Sequence, residues 1–294
     1  MTHPLIELDA LDNLWFQVAG TLCNIECRHC FNNSGPRNRS FGFMTLEMIK
    51  PYLEASQELG VKEYYLTGGE PFLNREIVPM LAETLRYGPA TVLTNGMLLK
   101  ESTVAALAEI ESQSLYTLEF RVSLDGFTAE ENDQIRGKGV FQKTMEGVQL
   151  LVRHGFLPIL TATRVWEESR DAEVLEGFIK LLHSFGYTRP RLKILPTLKI
   201  GREAERSGEY TEHEVVTPEM LEGYDRGQLL CSNSRIVTDR GVYVCPILIN
   251  FPEARLGETL HDALRPYPLR HQACYTCYLW GAICSNFASG GTDV

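Results

Sequence analysis

Cys23, Cys27 and Cys30 stand three and then two residues apart in Thr21-Leu22-Cys23-Asn24-Ile25-Glu26-Cys27-Arg28-His29-Cys30-Phe31. Three thiolates so close in sequence can meet on one iron–sulfur cluster from a single loop. No further cysteine occurs before Cys231. A cubane held here by three thiolates keeps one iron open to a ligand that is not protein. The same loop also suits zinc, which takes four ligands, with His29 as the fourth. On these residues alone both readings stand.

The cysteines are unevenly placed. Of eight, three fall at 23–30, five between 231 and 284, and none in between. Core cysteines would not avoid two-thirds of a chain, and a reducing compartment disfavours disulfides. Two groups of metal ligands explain the pattern. The net charge of −10 argues against a nucleic-acid backbone or an anionic membrane as the main partner. No apolar run is long enough to span a bilayer. Met1 to Asp12 has three acidic residues and no basic segment before an apolar stretch, so it reads as no signal peptide. The expectation is a cytoplasmic protein with 44% apolar residues and a sizeable core.

The elements that must position these cysteines alternate in type. Apolar runs predict strands at 14–22, 63–67, 90–94, 118–124, 158–165 and 191–196. Between them, helical spacing appears at 45–59, with Thr45 as N-cap and Gly60 as terminator, then at 75–86, 101–110, 140–154 and 172–185. A long loop is expected between 126 and 140. Strand–helix alternation of this kind implies parallel strands joined by right-handed crossovers. The fold class expected is α/β, an open, partial (β/α)6 barrel like part of a TIM barrel, with its site at the C-terminal strand ends. Gly68-Gly69-Glu70-Pro71, Asn95-Gly96 and Asp125-Gly126 all fall at such ends. Each is an ordinary turn sequence by itself.

Taken together, C-x3-C-x2-C and the ordered strand-end motifs resemble the radical S-adenosylmethionine (radical SAM) enzymes. In that family three cysteines hold a 4Fe–4S cluster whose open iron chelates the methionine end of S-adenosylmethionine (SAM). The resemblance implies that Cys23, Cys27 and Cys30 are cluster ligands. It implies that Gly68, Gly69, Glu70 and Pro71 form the Gly-Gly-Glu-Pro motif, with Glu70 and nearby backbone meeting the cofactor's ammonium group. Asn95 belongs to a turn like the family's third-strand motif. Ser123 and Asp125 match the fourth-strand motif near the ribose or methionine end. Asn132 to Gly137 resembles an Arg-Gly loop, and Gly201-Arg202-Glu203-Ala204 is a looser match to a motif after the sixth strand. His29 takes the place of the aromatic that usually lies against the adenine. The resemblance covers residues 14–204. Thr163, toward the cofactor or substrate, and Arg164, as a catalytic or substrate-facing residue, are further candidates; Arg164 reads equally as a surface salt-bridge partner.

After Ile200 the composition changes. The reading divides the chain into a barrel (1–205), a charged linker (206–226) and a small C-terminal domain (227–294). In the last, Cys231 precedes a hairpin pattern from Ser234 to Cys245, followed by Cys274-Tyr275-Thr276-Cys277 and Cys284. This resembles the twitch half of a SPASM extension, which carries an auxiliary 4Fe–4S cluster. Cys231, Cys245, Cys274 and Cys277 are the expected ligands, with Cys284 in reserve; a ribbon-like zinc site is the alternative. Gly241 and Cys245 are one residue closer than in that family.

The resemblance implies reductive cleavage of SAM to a 5′-deoxyadenosyl radical and hydrogen abstraction from a substrate. An external donor such as flavodoxin or ferredoxin supplies the electron. The expected reaction is oxidation of a small molecule, such as an alcohol or amino sugar, because no room precedes the first strand for a peptide-clasping domain. Maturation of a ribosomal peptide is the runner-up. A non-catalytic iron–sulfur or zinc scaffold is the reading from another class.

Overall fold

The computed structural model describes residues 3–281 and residue 283. In chain order the strands and α-helices begin with β1 (Leu5–Ile6), β2 (Asn13–Phe16), α1 (Leu46–Glu58), β3 (Glu63–Leu66), α2 (Ile77–Thr84), β4 (Ala90–Thr94) and α3 (Glu101–Ser112). There follow β5 (Leu118–Ser123), α4 (Ala129–Arg136), α5 (Val140–Arg153), β6 (Ile159–Thr163), α6 (Asp171–Ser184), β7 (Arg191–Leu195) and α7 (Arg202–Ser207). The last part holds β8 (Ser234–Thr238), β9 (Gly241–Tyr243), β10 (Arg255–Gly257), β11 (Tyr267–Pro268) and α8 (Ala273–Trp280).

Nine strands form one sheet in the order β10-β9-β8-β2-β3-β4-β5-β6-β7. The six expected strands, β2 to β7, are parallel neighbours. They bury apolar side chains against the helices, which is why they read as apolar runs. Phe120 and Val122 of β5 are buried on that side, while Arg121 and Ser123 alternate with them and face the lumen. The core is continuous from β2 through the helices to the C-terminal segment.

Two local expectations change. The first strand stops at Phe16; Val18 to Leu22 turn away in a loop that hydrogen-bonds to Thr67, Phe41 and the 35 region. The segment expected as a loop between 126 and 140 contains α4, capped by the Thr128 side chain accepting from Glu131 N. The helix was obscured because its face is polar, with mainly Ile135 to signal a core side. Thr45 does cap α1, its hydroxyl accepting from Met48 N at 3.2 Å.

The hairpin near the C-terminus joins the barrel sheet. β8 lies parallel to β2, with Asn13 opposite Ser234 and Phe16 opposite Val237, so the sheet has seven parallel strands. β9 then returns antiparallel to β8. Cys231 immediately precedes β8, and Cys23 lies beyond the C-terminal end of β2. The two cysteine groups therefore sit past opposite ends of the strands.

Candidate functional site

The cysteine loop is fixed by partners from distant parts of the chain. Cys23 N donates to Gly35 O at 3.2 Å, and Arg28 N to Ile135 O at 2.8 Å. Gly69 N donates to Gly20 O at 2.9 Å and Glu70 N to Leu22 O at 3.0 Å. A Cβ on Gly69 would lie 2.1 Å from Leu22 O, so only glycine permits this approach. Arg202 closes the far side: its N donates to Cys30 O (3.1 Å), its Nε to Cys27 O (2.8 Å) and its Nη2 to Ser34 O (2.5 Å). Gly201, at φ +59°, lets that segment lie against Cys30 and Phe31 carbonyls. The Gly-Arg motif thus has a clear task in holding the cysteine loop.

A cavity of about 230 Å³ opens above the parallel strands. Its wall includes Cys23, Cys27, Cys30, His29, Gly68, Gly69, Asn95, Ser123 and Thr163, brought together from the ends of successive strands. Burial pushes the Cys23 thiol up to about 11 and the Cys27 thiol to about 12, Arg136 opposing the latter shift. Cluster binding must therefore displace protons from both. Asn95 Nδ2 lies 3.8 Å from Cys23 Sγ and donates to Asn24 Oδ1 at 2.7 Å.

Four predicted residues take other positions. Glu70 is fully buried and off the cavity wall. Its carboxylate accepts from Thr94 Oγ1 (2.7 Å), Asn95 N (2.7 Å) and Phe72 N (3.0 Å), tying the second strand end to the third. Pro71 is buried behind it in a short 3-10 turn. Asp125 is also buried and off the wall; its Oδ2 is 2.6 Å from His29 Nε2 and 2.7 Å from Arg136 Nε. Its Oδ1 accepts from Thr163 N at 2.8 Å. Arg164 points away to a surface ion pair with Asp171 at 2.8 Å and lies over the Trp280 ring. It is not among the described residues that line the cavity.

Arg136 and Arg121 were not singled out as site residues, and both line the cavity. Arg136 also approaches Cys27 Sγ at 3.9 Å. Its signal was the Arg-Gly loop; Arg121 showed only as one charge inside an apolar strand.

Burial drives the Glu70 carboxyl up to about 6 despite its three donors. A carboxyl raised in the folded state contributes stability below the unfolded value near 4.3, and that contribution is lost as pH rises through about 6. Glu70→Gln leaves one oxygen for donors converging from two sides, so the amide must face either Asn95 N–H or Phe72 N–H. Glu70→Gln is expected to cost about 1–3 kcal/mol at pH 5, where the wild-type carboxyl carries its own proton, and less at pH 7.5, where that contribution has been lost. Urea unfolding at the two pH values measures this; equal losses would show that the carboxylate's charge is immaterial.

The second cysteine group is gathered as well. Cys231, Cys245, Cys274 and Cys277 are buried and line one apolar chamber with Leu230, Val244, Ile247, Leu248 and Tyr267. Burial and the neighbouring thiols hold Cys231 and Cys274 far above the usual thiol range, and burial raises Cys277 to about 11. Arg235 is buried beside them, donating to the carbonyls of Cys231, Ser234, Ala263 and Arg265. Four soft thiol donors with a buried guanidinium nearby fit an anionic thiolate-bound cluster. Among the described residues, no three His, Cys, Asp or Glu side chains are grouped for a single metal ion. Cys284 lies outside the described residues.

For the first site the fit rests on polar atoms inside the cavity. His29 Nδ1, Asn32 Oδ1 and Ser34 Oγ are buried on its wall without a hydrogen-bond partner. A polar cofactor beside the three cysteines meets such groups.

The model of the Radical SAM superfamily matches residues 18–166, just over half of the chain. The chain belongs to the radical SAM superfamily, whose cofactors are a 4Fe–4S cluster and SAM. It is 29% identical over 163 residues to a GTP 3′,8-cyclase of Peptoclostridium acidaminophilum, covering 54% of this chain and 48% of that one. It is 26% identical over 176 residues to the mycofactocin maturase MftC of Mycobacterium tuberculosis, covering 60% and 43%. The chain thus spans about half the length of the curated relatives it matches. In fold it is similar to anSMEcpe with bound AdoMet (TM-score 0.64, 18% identity, 92% of this chain and 83% of that one). It is likewise similar to Streptococcus suis SuiB bound to its precursor peptide SuiA (TM-score 0.60, 15% identity, 84% and 62%). No helix among the described residues is long and apolar enough to cross a membrane.

Proposed function

We propose that this radical SAM enzyme abstracts hydrogen from a peptide, with Cys23, Cys27 and Cys30 as ligands of the first cluster and Cys231, Cys245, Cys274 and Cys277 as ligands of an auxiliary 4Fe–4S cluster. The carrying observation is the open side of the sheet. β7 is its last strand and all five of its residues are half-buried, so among the described residues no strand closes the lumen there. An extended substrate can enter at that edge. The maturase relative and the peptide-bound SuiB support the same reading. The sequence by itself favours a small molecule, and the cyclase relative keeps oxidation or rearrangement of a small molecule as the second reading.

When bound and reduced by an external donor, the first cluster and SAM supply a 5′-deoxyadenosyl radical. The protein's own residues orient the parts. Gly68 and Gly69 bring backbone against the cysteine loop, with Glu70 fixing them from behind. Asp125 holds His29 and Arg136 at the wall, while Ser123 and Thr163 present hydroxyls to the cavity. Leu195, Pro196 and Leu198 give the cavity an apolar flank on the β7 side. The auxiliary cluster would provide a one-electron acceptor for a substrate oxidation.

Anaerobic incubation with SAM, dithionite and a deuterated peptide pool tests the reading. Deuterium should appear in 5′-deoxyadenosine; its transfer only from small-molecule pools would favour the second reading. Cys231→Ala and Cys274→Ala are each expected to lose one cluster's iron and sulfide while the protein still cleaves SAM. Wild-type protein with stoichiometric zinc in place of that iron would overturn the second cluster.

A further inference from the structure

Arg235 lies on β8, four residues after Cys231, and its side chain is fully buried. Its guanidinium donates four hydrogen bonds, all of them to backbone carbonyls. Nε reaches Ala263 O at 2.8 Å and Nη2 reaches Arg265 O at 3.0 Å. Nη1 reaches Cys231 O at 2.8 Å and Ser234 O at 2.7 Å. These acceptors are neutral. Among the described residues no aspartate or glutamate pairs with Arg235.

A guanidinium withdrawn from water needs a compensating charge as well as hydrogen bonds. Burial pulls Arg235 down to about 10, and thiolates at Cys231 and Cys245 are the groups that oppose the fall. Both cysteines line the apolar chamber with Cys274 and Cys277, and none of the described residues on its wall is acidic. The negative charge available to Arg235 is therefore that of the four thiolates and of the group they bind. Charges in so apolar an enclosure are weakly screened.

The reduction potential of an iron–sulfur cluster follows its net charge and surroundings. A fixed cation stabilises the cluster more strongly once it has gained an electron, because that adds a negative charge. Under the function proposed above, hydrogen abstraction leaves a substrate radical. Loss of one proton to solvent and one electron to the auxiliary cluster completes a two-electron oxidation of the substrate. A raised potential favours that last transfer.

We propose that Arg235 is the counter-charge of the auxiliary cluster and raises its reduction potential, poising it to accept the electron of the substrate radical. This rests on the reading of Cys231, Cys245, Cys274 and Cys277 as ligands of a 4Fe–4S cluster. Arg235 is a positioning residue here, acting through the cluster while its four carbonyl partners hold the cation in place.

The same four bonds tie the 231–234 segment to the 263–265 segment, so charge must be separated from stitching. The test is a redox titration of the full chain with both clusters reconstituted anaerobically, followed by electron paramagnetic resonance. The reduced-cluster signal that SAM leaves unmoved belongs to the auxiliary cluster. Arg235→Gln should lower its reduced-to-oxidised ratio at a given solution potential by ten-fold or more, a shift of about 59 mV for a one-electron couple. Arg235→Lys keeps the charge but loses the planar fork, so its potential should stay close to that of the wild type even where stability falls. Arg265→Gln removes an exposed cation whose carbonyl still accepts from Arg235, and should also leave the potential in place. An unchanged potential in Arg235→Gln overturns the proposal, as does an equal drop in Arg235→Lys or in Arg265→Gln. If Arg235→Gln fails to fold, Arg235→Lys still decides, since a ten-fold drop there shows that the charge is not what matters. Loss of the auxiliary iron and sulfide in both Arg235 variants overturns it too, because Arg235 would then serve assembly alone. Metal analysis of the wild type tests the cluster reading separately: zinc in place of iron sinks that reading, whereas a cluster indifferent to Arg235 sinks only the role given to Arg235.

Discussion

Replacing Cys23, Cys27 and Cys30 together by alanine is expected to remove the iron and sulfide of one cluster and to abolish SAM cleavage. The effect should be total, because no other described thiol lines that cavity. The fold should survive. The loop is held by backbone hydrogen bonds from Cys23 N to Gly35 O and by Arg202 on the carbonyls of Cys27 and Cys30, none of which needs the thiols. Two of the three thiols removed are ones that burial, with neighbouring negative groups, raises to about 11 and 12. Circular dichroism and the content of the second cluster should therefore match the wild type. Cleavage of SAM by the triple variant, or an undiminished iron content, would remove these cysteines from the site.

Asp125→Asn should be the most destabilising single substitution near the cavity, by about 3–5 kcal/mol, the usual cost of breaking a buried ion pair from one side. The Asp125 carboxylate is fully enclosed, and Arg136 and His29 face the same oxygen at 2.7 and 2.6 Å. Asparagine still accepts from Thr163 N, yet it leaves the Arg136 guanidinium buried without its counter-charge. Burial works against the Asp125 anion, but Arg136 and His29 outweigh it and hold the carboxyl well below the usual carboxylate range. The sign follows from that depression. The pair's contribution is fully present above the unfolded value near 4 and is lost as pH falls below it. Denaturant unfolding should show a large gap between wild type and Asp125→Asn at pH 7 that narrows below pH 4. A gap of under about 1 kcal/mol at pH 7, the worth of an exposed pair, would show that the Asp125 pair is effectively solvated.

The barrel was legible because its strands are buried on both faces and punctuated by turn residues. Ala90–Thr94 matches its predicted limits, and β3 and β5 fall within one residue of theirs. The cysteine loop was legible as a group of ligands from its spacing, and the strand-end motifs that follow it favoured iron–sulfur over zinc. Other features lay beyond any local pattern. α4 has too few apolar residues to show a period, and its place is fixed by Asn132 and Arg136 folding back toward Asp125. The pairing of β8 with β2 leaves no local trace, since a buried parallel strand looks alike wherever it docks. Glu70 could be found from its motif, but its direction could not: only the fold shows Thr94, Asn95 and Phe72 claiming the carboxylate. Arg164 illustrates the converse, a strand-end polar residue whose partner, Asp171, is seven positions away on the next helix.

The seam between β2 and β8 bears on how the chain acquires its structure. Asn13 and Asn233, at its start, are 220 positions apart and meet at 3.4 Å. During synthesis the first strand leaves the ribosome long before its outer neighbour exists. Until Ser234 to Thr238 arrive, β2 offers an unpaired parallel edge. Contacts of such sequence separation are slow to form, and an uncovered strand edge invites pairing with another chain. The last third of the protein thus completes the barrel wall as well as carrying its own cysteines. Chains cut short before β8 should form the β3–β6 region and then aggregate, making assembly of this seam the vulnerable step in production of the enzyme.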